Sequence, residues 1–240
     1  MLIGRKPLGT VAFLAGVPAV LTDFWWSCVQ MVQYANEYMT QPNEYIHWDR
    51  ATISFHSWAR NAVVDRMQGD WLLFLDTDHS FEPDIVSRLH DRMYSYDLDV
   101  VCGVYQYRNA PHPPVLFAWK QELAEDGKIL AEGYVNVGGW IGQTTPIFEV
   151  AAAGGGCLMV RRRVFDRIKT ELNERPFDVL GQAGEDMSFF SRLRKLGVKT
   201  FVDTRIECPH LMVRPLTLDD YDQSQATLEA LPDTVGLIPN

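Results

Sequence analysis

Two carboxylates set two residues apart, Asp76 and Asp78, follow directly on the apolar run Trp71-Leu72-Leu73-Phe74-Leu75. In extended chain, residues i and i+2 point the same way, so both carboxylates at a strand end can face one hard cation. Such an ion, once bound, can hold a phosphate-bearing substrate. An Asp-x-Asp in an acidic loop says little by itself. Placed at the end of five buried residues it points to chemistry, because carboxylates beside a core bring no structural benefit. An EF-hand loop starting at Asp76 would need Gly at its sixth position and Glu at its twelfth, where the chain has Phe81 and Ser87.

Other groups carry chemistry with a bland alternative beside each. Glu185 and Asp186 follow Gly184 and open a helical pattern. Carboxylates in the first turn of a helix are stabilised by its dipole. Cys208-Pro209-His210 is half of a zinc site without a second Cys/His pair at ligand spacing. Gly154, Gly155 and Gly156 allow close backbone approach or form a flexible loop. Trp140 stands among glycines at 138, 139 and 142, where an aromatic often anchors a loop. Arg60 and Asn61 face either a ligand or solvent.

The elements that must position these groups alternate. Residues 11–17 read as a strand and the pattern through Phe24, Cys28, Met31, Val32 and Tyr38 as a helix. A strand over 45–48 ends at Asp49-Arg50, and a helix over 55–67 carries Trp58, Ala62, Val63 and Met67 near one face. After the strand at 71–75, Ser80 to Pro83 start a helix running through Tyr94, and 100–105 is a strand. The segment 108–150, rich in Pro, Gly and aromatics, reads as short edge strands and loops. Then come a strand over 157–160, helices over 163–172 and 185–196, and a strand over 200–203. Alternation of this kind predicts an α/β fold, a three-layer α/β/α sandwich with a parallel-dominated mixed sheet.

The chain has 240 residues, a net charge of -9 and 47% hydrophobic residues, and reads as one domain with no segment too polar to fold. Its charge supplies no footprint for duplex nucleic acid, and Arg161-Arg162-Arg163 is too short for one. Arg5-Lys6 before the apolar stretch 11–21 imitates a signal peptide but lacks a small-x-small cleavage site and contains Pro18. No run reaches the ~20 apolar residues of a membrane span. Four scattered cysteines, 28, 102, 157 and 208, predict reduced thiols and a cytoplasmic setting.

Taken in order, Ala59-Arg60-Asn61, the Asp76-Thr77-Asp78 strand end, the glycine run leading into Cys157-Leu158-Met159-Val160-Arg161-Arg162, Gly184-Glu185-Asp186 and Cys208-Pro209-His210 resemble the GT-A glycosyltransferases of the family 2 type. The likeness extends over about residues 9–213 and is nearest to small stand-alone enzymes of bacteria and bacteriophages, for which the setting would be the host cytoplasm. It implies a nucleotide-binding half over about 9–105, an acceptor and catalytic half over about 106–213, and a C-terminal extension over 214–240. It implies a nucleotide-sugar donor and an acceptor hydroxyl on a protein, glycan or small molecule. Asp78, Asp76 and His210 would hold Mn²⁺ or Mg²⁺, and Ala15, Gly16, Arg60, Asn61, Asp76 and Thr77 would face the nucleotide. Gly155, Gly156 and Trp140 would lie at the sugar. Asp186, beside Glu185, would act as base in an inverting transfer to the acceptor. The Gln-x-x-Arg-Trp segment of processive members is missing, which argues against polysaccharide synthesis with export. Two alternatives stay open. One is a haloacid-dehalogenase-type phosphatase, although Phe190 and Ser191 stand where its later motif carries another acid. The other is an inactive sugar- or nucleotide-binding relative.

Overall fold

A computed structural model describes residues 4–213 and residue 218, apart from 18, 54, 125, 126, 143 and 144. The expected C-terminal extension over 214–240, save residue 218, lies outside the described residues, as does position 18 in the first apolar stretch. In chain order the elements are β1 (Lys6–Leu14), α1 (Thr22–Tyr38), β2 (Glu44–Ala51), α2 (His56–Arg66), β3 (Trp71–Asp76), α3 (Ile85–Ser95), β4 (Val100–Val104) and β5 (Leu116–Leu123). They continue with β6 (Ile129–Asn136), β7 (Ile147–Val150), β8 (Ala152–Ala153), β9 (Cys157–Arg161), α4 (Arg162–Arg167), α5 (Glu185–Lys195) and β10 (Thr200–Glu207).

The main sheet has seven strands in the order β2-β1-β3-β9-β4-β10-β7. β2, β1 and β3 run parallel, as do β4 and β10, while β9 is antiparallel to both β3 and β4 and β7 is antiparallel to β10. This is the expected parallel-dominated mixed sheet. β3 shows why the sandwich has three layers. Leu72 and Phe74 join one apolar cluster with residues of α2, α4 and α5, whereas Trp71, Leu73 and Leu75 join the other with residues of α1 and α3. Successive side chains of a strand point to opposite faces, so a run apolar at every position is covered on both sides. Burying each Leu or Phe here contributes about 1.5–3 kcal/mol.

Several expected bounds shift. β1 is Lys6–Leu14 rather than 11–17, because its first residues already pair with β2 from Lys6↔Glu44 onward. Asp49 and Arg50 lie inside β2 rather than at its end. On α2 the expected apolar face holds at Val63 and Met67, which are buried, but Trp58 is 65% exposed, while Arg60 and Asn61 are buried with Ala59. The segment 108–150 holds a hairpin of two eight-residue strands, β5 and β6, whose register shifts at Glu122/Leu123, and β8 extends it into a second antiparallel sheet. The helix expected over 163–172 is α4 followed by a π-helical turn at Ile168–Leu172, and β10 continues past 203 to Glu207.

The arginine run at 161–163 serves the scaffold. Arg161 donates to the carbonyls of Leu98 and Met93, Arg162 to that of Gly69, and Arg163 pairs with Asp99.

Candidate active site

The chemistry-bearing groups converge at the carboxyl ends of the parallel strands, where open α/β sheets bind ligands. β3 delivers Asp76 there in register with Leu14 of β1. The Thr77 hydroxyl donates to the Leu14 carbonyl at 3.3 Å, so Thr77 ties the motif loop to β1. Ala15 and Gly16 leave β1 at this same edge, half-buried, with the Ala15 amide donating to Ala51 at 2.8 Å. Because β9 runs antiparallel to β3, with Leu75 opposite Cys157, the glycines at 154–156 enter beside Asp76, whose amide donates to the Gly156 carbonyl at 3.1 Å.

Arg60 is the buried hub. Its guanidinium donates to Asp76 Oδ1 at 3.3 Å, to Glu185 Oε1 at 3.4 Å and to the Gly155 carbonyl at 3.0 Å. It lies over the Phe74 ring at 5.0 Å. Burial would lower its pKa, but the carboxylates of Asp76, Glu185 and Asp186 outweigh burial and raise it. A side chain at Gly155 has no room, since its Cβ would lie 2.5 Å from Arg60 Nη2.

Asp186 stands next to Glu185 in the first turn of α5 and accepts the Met187 amide at 2.7 Å. Burial, then the negative charge of Glu185, push its carboxyl above the ordinary carboxylate range. Asn61 is turned to structural use. Its amide donates to Asp178 at 2.8 Å and its carbonyl accepts the Phe177 amide at 3.1 Å, which pins the loop before α5.

Asp78 points away from Arg60 into a group that the sequence discloses only in part. The loop after β10 folds onto the loop after β3: Ser80 donates to the Pro209 carbonyl at 3.0 Å and Leu211 to the Asp78 carbonyl at 2.7 Å. This stacks the rings of His79 and His210 at 4.2 Å. One ligand atom each from Asp78, His79 and His210 lie within 4.8 Å of one another. Nδ1 of His79 lies 2.8 Å from the Cys208 carbonyl and Nδ1 of His210 lies 2.7 Å from the Gln106 carbonyl. A carbonyl only accepts, so each Nδ1 carries a proton, and Nε2 is the ring atom that faces Asp78, at 3.5 Å for His79 and 3.6 Å for His210. Burial lowers the pKa of His79, the Cys208 hydrogen bond opposes this, and His210 adds to the fall. His79 Nε2 and Asp78 Oδ1 are both buried without a hydrogen-bond partner and stand 3.5 Å apart. A buried ring nitrogen beside a buried carboxylate oxygen, neither of them hydrogen-bonded, is what a cation would satisfy. Arg108 pairs with the other carboxylate oxygen of Asp78.

Sequence reasoning missed His79: it directly follows Asp78, but only the fold brings it against His210. Trp140 sits in a short 3₁₀ turn, Gly138–Trp140, with its ring 6.3 Å from Phe148.

The chain matches the family described as Glycosyl transferase family 2 over residues 30–169. The match takes in Arg60, Asp76, Asp78, His79 and the glycines at 154–156 and ends before Glu185, Asp186 and His210. No curated protein matches. A solved structure titled "Crystal Structure of A197 from STIV" is similar at 18% identity over 87% of each chain, with a TM-score of 0.49. The sheet order, the strand-end carboxylates and the match over more than half of its length lead to one conclusion: this chain belongs to glycosyl transferase family 2.

Proposed function

We propose that this glycosyltransferase moves a sugar from a nucleotide-diphosphate donor to an acceptor hydroxyl, with inversion, using Asp186 as base and Asp78 and His210 to hold Mn²⁺ or Mg²⁺. The supporting observation is the meeting of the two acidic segments, Asp76 and Glu185-Asp186, through buried Arg60 at one sheet edge. The unpartnered Nε2 of His79 and Oδ1 of Asp78 fit a cation at the loop that follows β3.

A bound divalent ion supplies positive charge against the diphosphate. Asp186 takes the proton of the acceptor hydroxyl as its oxygen attacks the anomeric carbon. The bond from that carbon to the diphosphate oxygen breaks, and the diphosphate leaves with the electron pair. A carboxyl raised above its ordinary range is the stronger base when ionised, which suits this role. Asp76, Ala15 and Gly16 face the nucleotide, and Gly155 and Gly156 lie beneath the sugar. Among the described residues no helix is long and apolar enough to cross a membrane.

Thermal-shift screening of nucleotide-sugars with and without Mn²⁺ tests the reading. A cognate donor at 100 times its Kd adds about 2.7 kcal/mol of stability. Absence of metal-dependent stabilisation by every nucleoside diphosphate would sink it. Asp186→Asn should cut transfer about 10²–10⁴-fold and keep donor binding, which separates an enzyme from a binding relative.

A further inference from the structure

We infer that His79 is a third protein ligand, and that it makes the site favour a transition-metal ion such as Mn²⁺ over Mg²⁺. The inference rests on the proposed function only in taking Asp78 and His210 as ligands. Three observations carry it. His79 is 1% exposed, yet Nε2 has no hydrogen-bond partner, and an orphaned buried nitrogen is costly unless something else engages it. Its ring is fixed by the 2.8 Å contact of Nδ1 with Cys208, by the stack on His210 and by an edge contact with Tyr105 at 4.6 Å between centroids. A carbonyl partner on the far nitrogen is the usual orienting contact of a ligating histidine. Finally, space is kept open in front of Nε2: a Cβ on Gly156 would stand 3.1 Å from it and 3.0 Å from Asp76 Oδ2.

The donor set decides the metal. Mg²⁺ demands oxygen ligands and retains water, whereas two imidazoles and a carboxylate favour first-row transition ions. Asp76 contributes less, because its Oδ1 is taken by Arg60.

Pulsed EPR of the Mn²⁺-loaded protein, with UDP and other nucleoside diphosphates and without them, counts the directly bound imidazole nitrogens. Two are expected in the native chain and one in His79→Gln. Titration should show Mn²⁺ preferred over Mg²⁺ in the native chain, and this preference should fall by about tenfold or more in His79→Gln. Saturable Mn²⁺ binding through a single imidazole in the native chain overturns the inference and leaves the proposed function standing. Equal affinity for the two metals also overturns it. Absence of Mn²⁺ binding under every condition overturns both. The native-chain measurement decides the matter even where the variant fails to fold.

Discussion

Arg60 on α2 and Glu185 at the start of α5 are 125 residues apart in the chain, yet the guanidinium Nε donates to the carboxylate at 3.4 Å. The same guanidinium reaches Asp76 at 3.3 Å, so one buried cation joins the two acidic segments of the site. Replacing it with a neutral side chain leaves two poorly solvated carboxylates facing each other. Arg60→Met should therefore lower the unfolding free energy by about 3 kcal/mol, the low end for a broken buried pair because both carboxylates keep some water. Arg60→Lys should cost less, since it keeps the charge and loses the fork that reaches Gly155 as well. Urea unfolding measures both, and native stability in Arg60→Met would contradict the bridging role.

Arg60 also shows where sequence reasoning stops. β3 is legible because a strand covered on both faces is apolar at every position, and that pattern admits few other readings. α2 is not. Its buried face carries Ser57, Arg60 and Asn61 beside Ala59 and Val63, while Trp58 is exposed, so periodicity finds Val63 and Met67 and misses the polar part of the face. The cost of burying Arg60 and Asn61 is met by partners at positions 76, 155, 177, 178 and 185, all remote in sequence. His79 was hidden for a related reason. Its neighbour His210 lies on another strand end, and only the pairing of the two loops stacks their rings.

The pH profile should carry the mark of Asp186. Burial and Glu185 raise its folded pKa, so transfer should fall away on the acid side at a pH above the ordinary Asp value of about 3.9. Glu185→Gln should move that limb to lower pH by removing the adjacent negative charge. Stability runs the other way. The folded state holds this proton more tightly than the unfolded chain, so ionising Asp186 destabilises the fold as pH rises from the unfolded pKa through the folded one. Asp186→Asn should be more stable than the native chain at neutral pH and lose that advantage below about pH 4. Its kcat should drop about 10²–10⁴-fold. Thermal melts across pH, together with rate profiles, check both signs.

Gly154 is set against Tyr105, and a Cβ there would overlap the phenol oxygen. That hydroxyl accepts the Gly156 amide at 3.1 Å, and the ring packs edge-on against His79 and His210. Gly154→Ala should therefore cost about 1–3 kcal/mol by overpacking and weaken metal binding by displacing the ring. A variant that keeps native stability and native Mn²⁺ affinity would show that Tyr105 does not brace the histidine pair.

Arg108 should compete with the metal for Asp78. It follows β4 on a loop and pairs with the Asp78 oxygen that also lies 3.6 Å from His210 Nε2. Both partners are well exposed, at 48% and 40%, so the pair is worth about 0.2–1 kcal/mol and weakens with salt. Removing the guanidinium takes away a positive charge that opposes the cation. Arg108→Gln should raise Mn²⁺ affinity in the absence of nucleotide by up to about fivefold at low ionic strength, the upper end of that range. The gain should shrink with added salt, because the repulsion it relieves is screened. When nucleoside diphosphate is present the sign should reverse, since the same guanidinium is then a cation facing the phosphates. Metal titrations at two salt concentrations, each with and without nucleotide, measure all three changes. Unchanged affinity in every case would place Arg108 outside the metal's field.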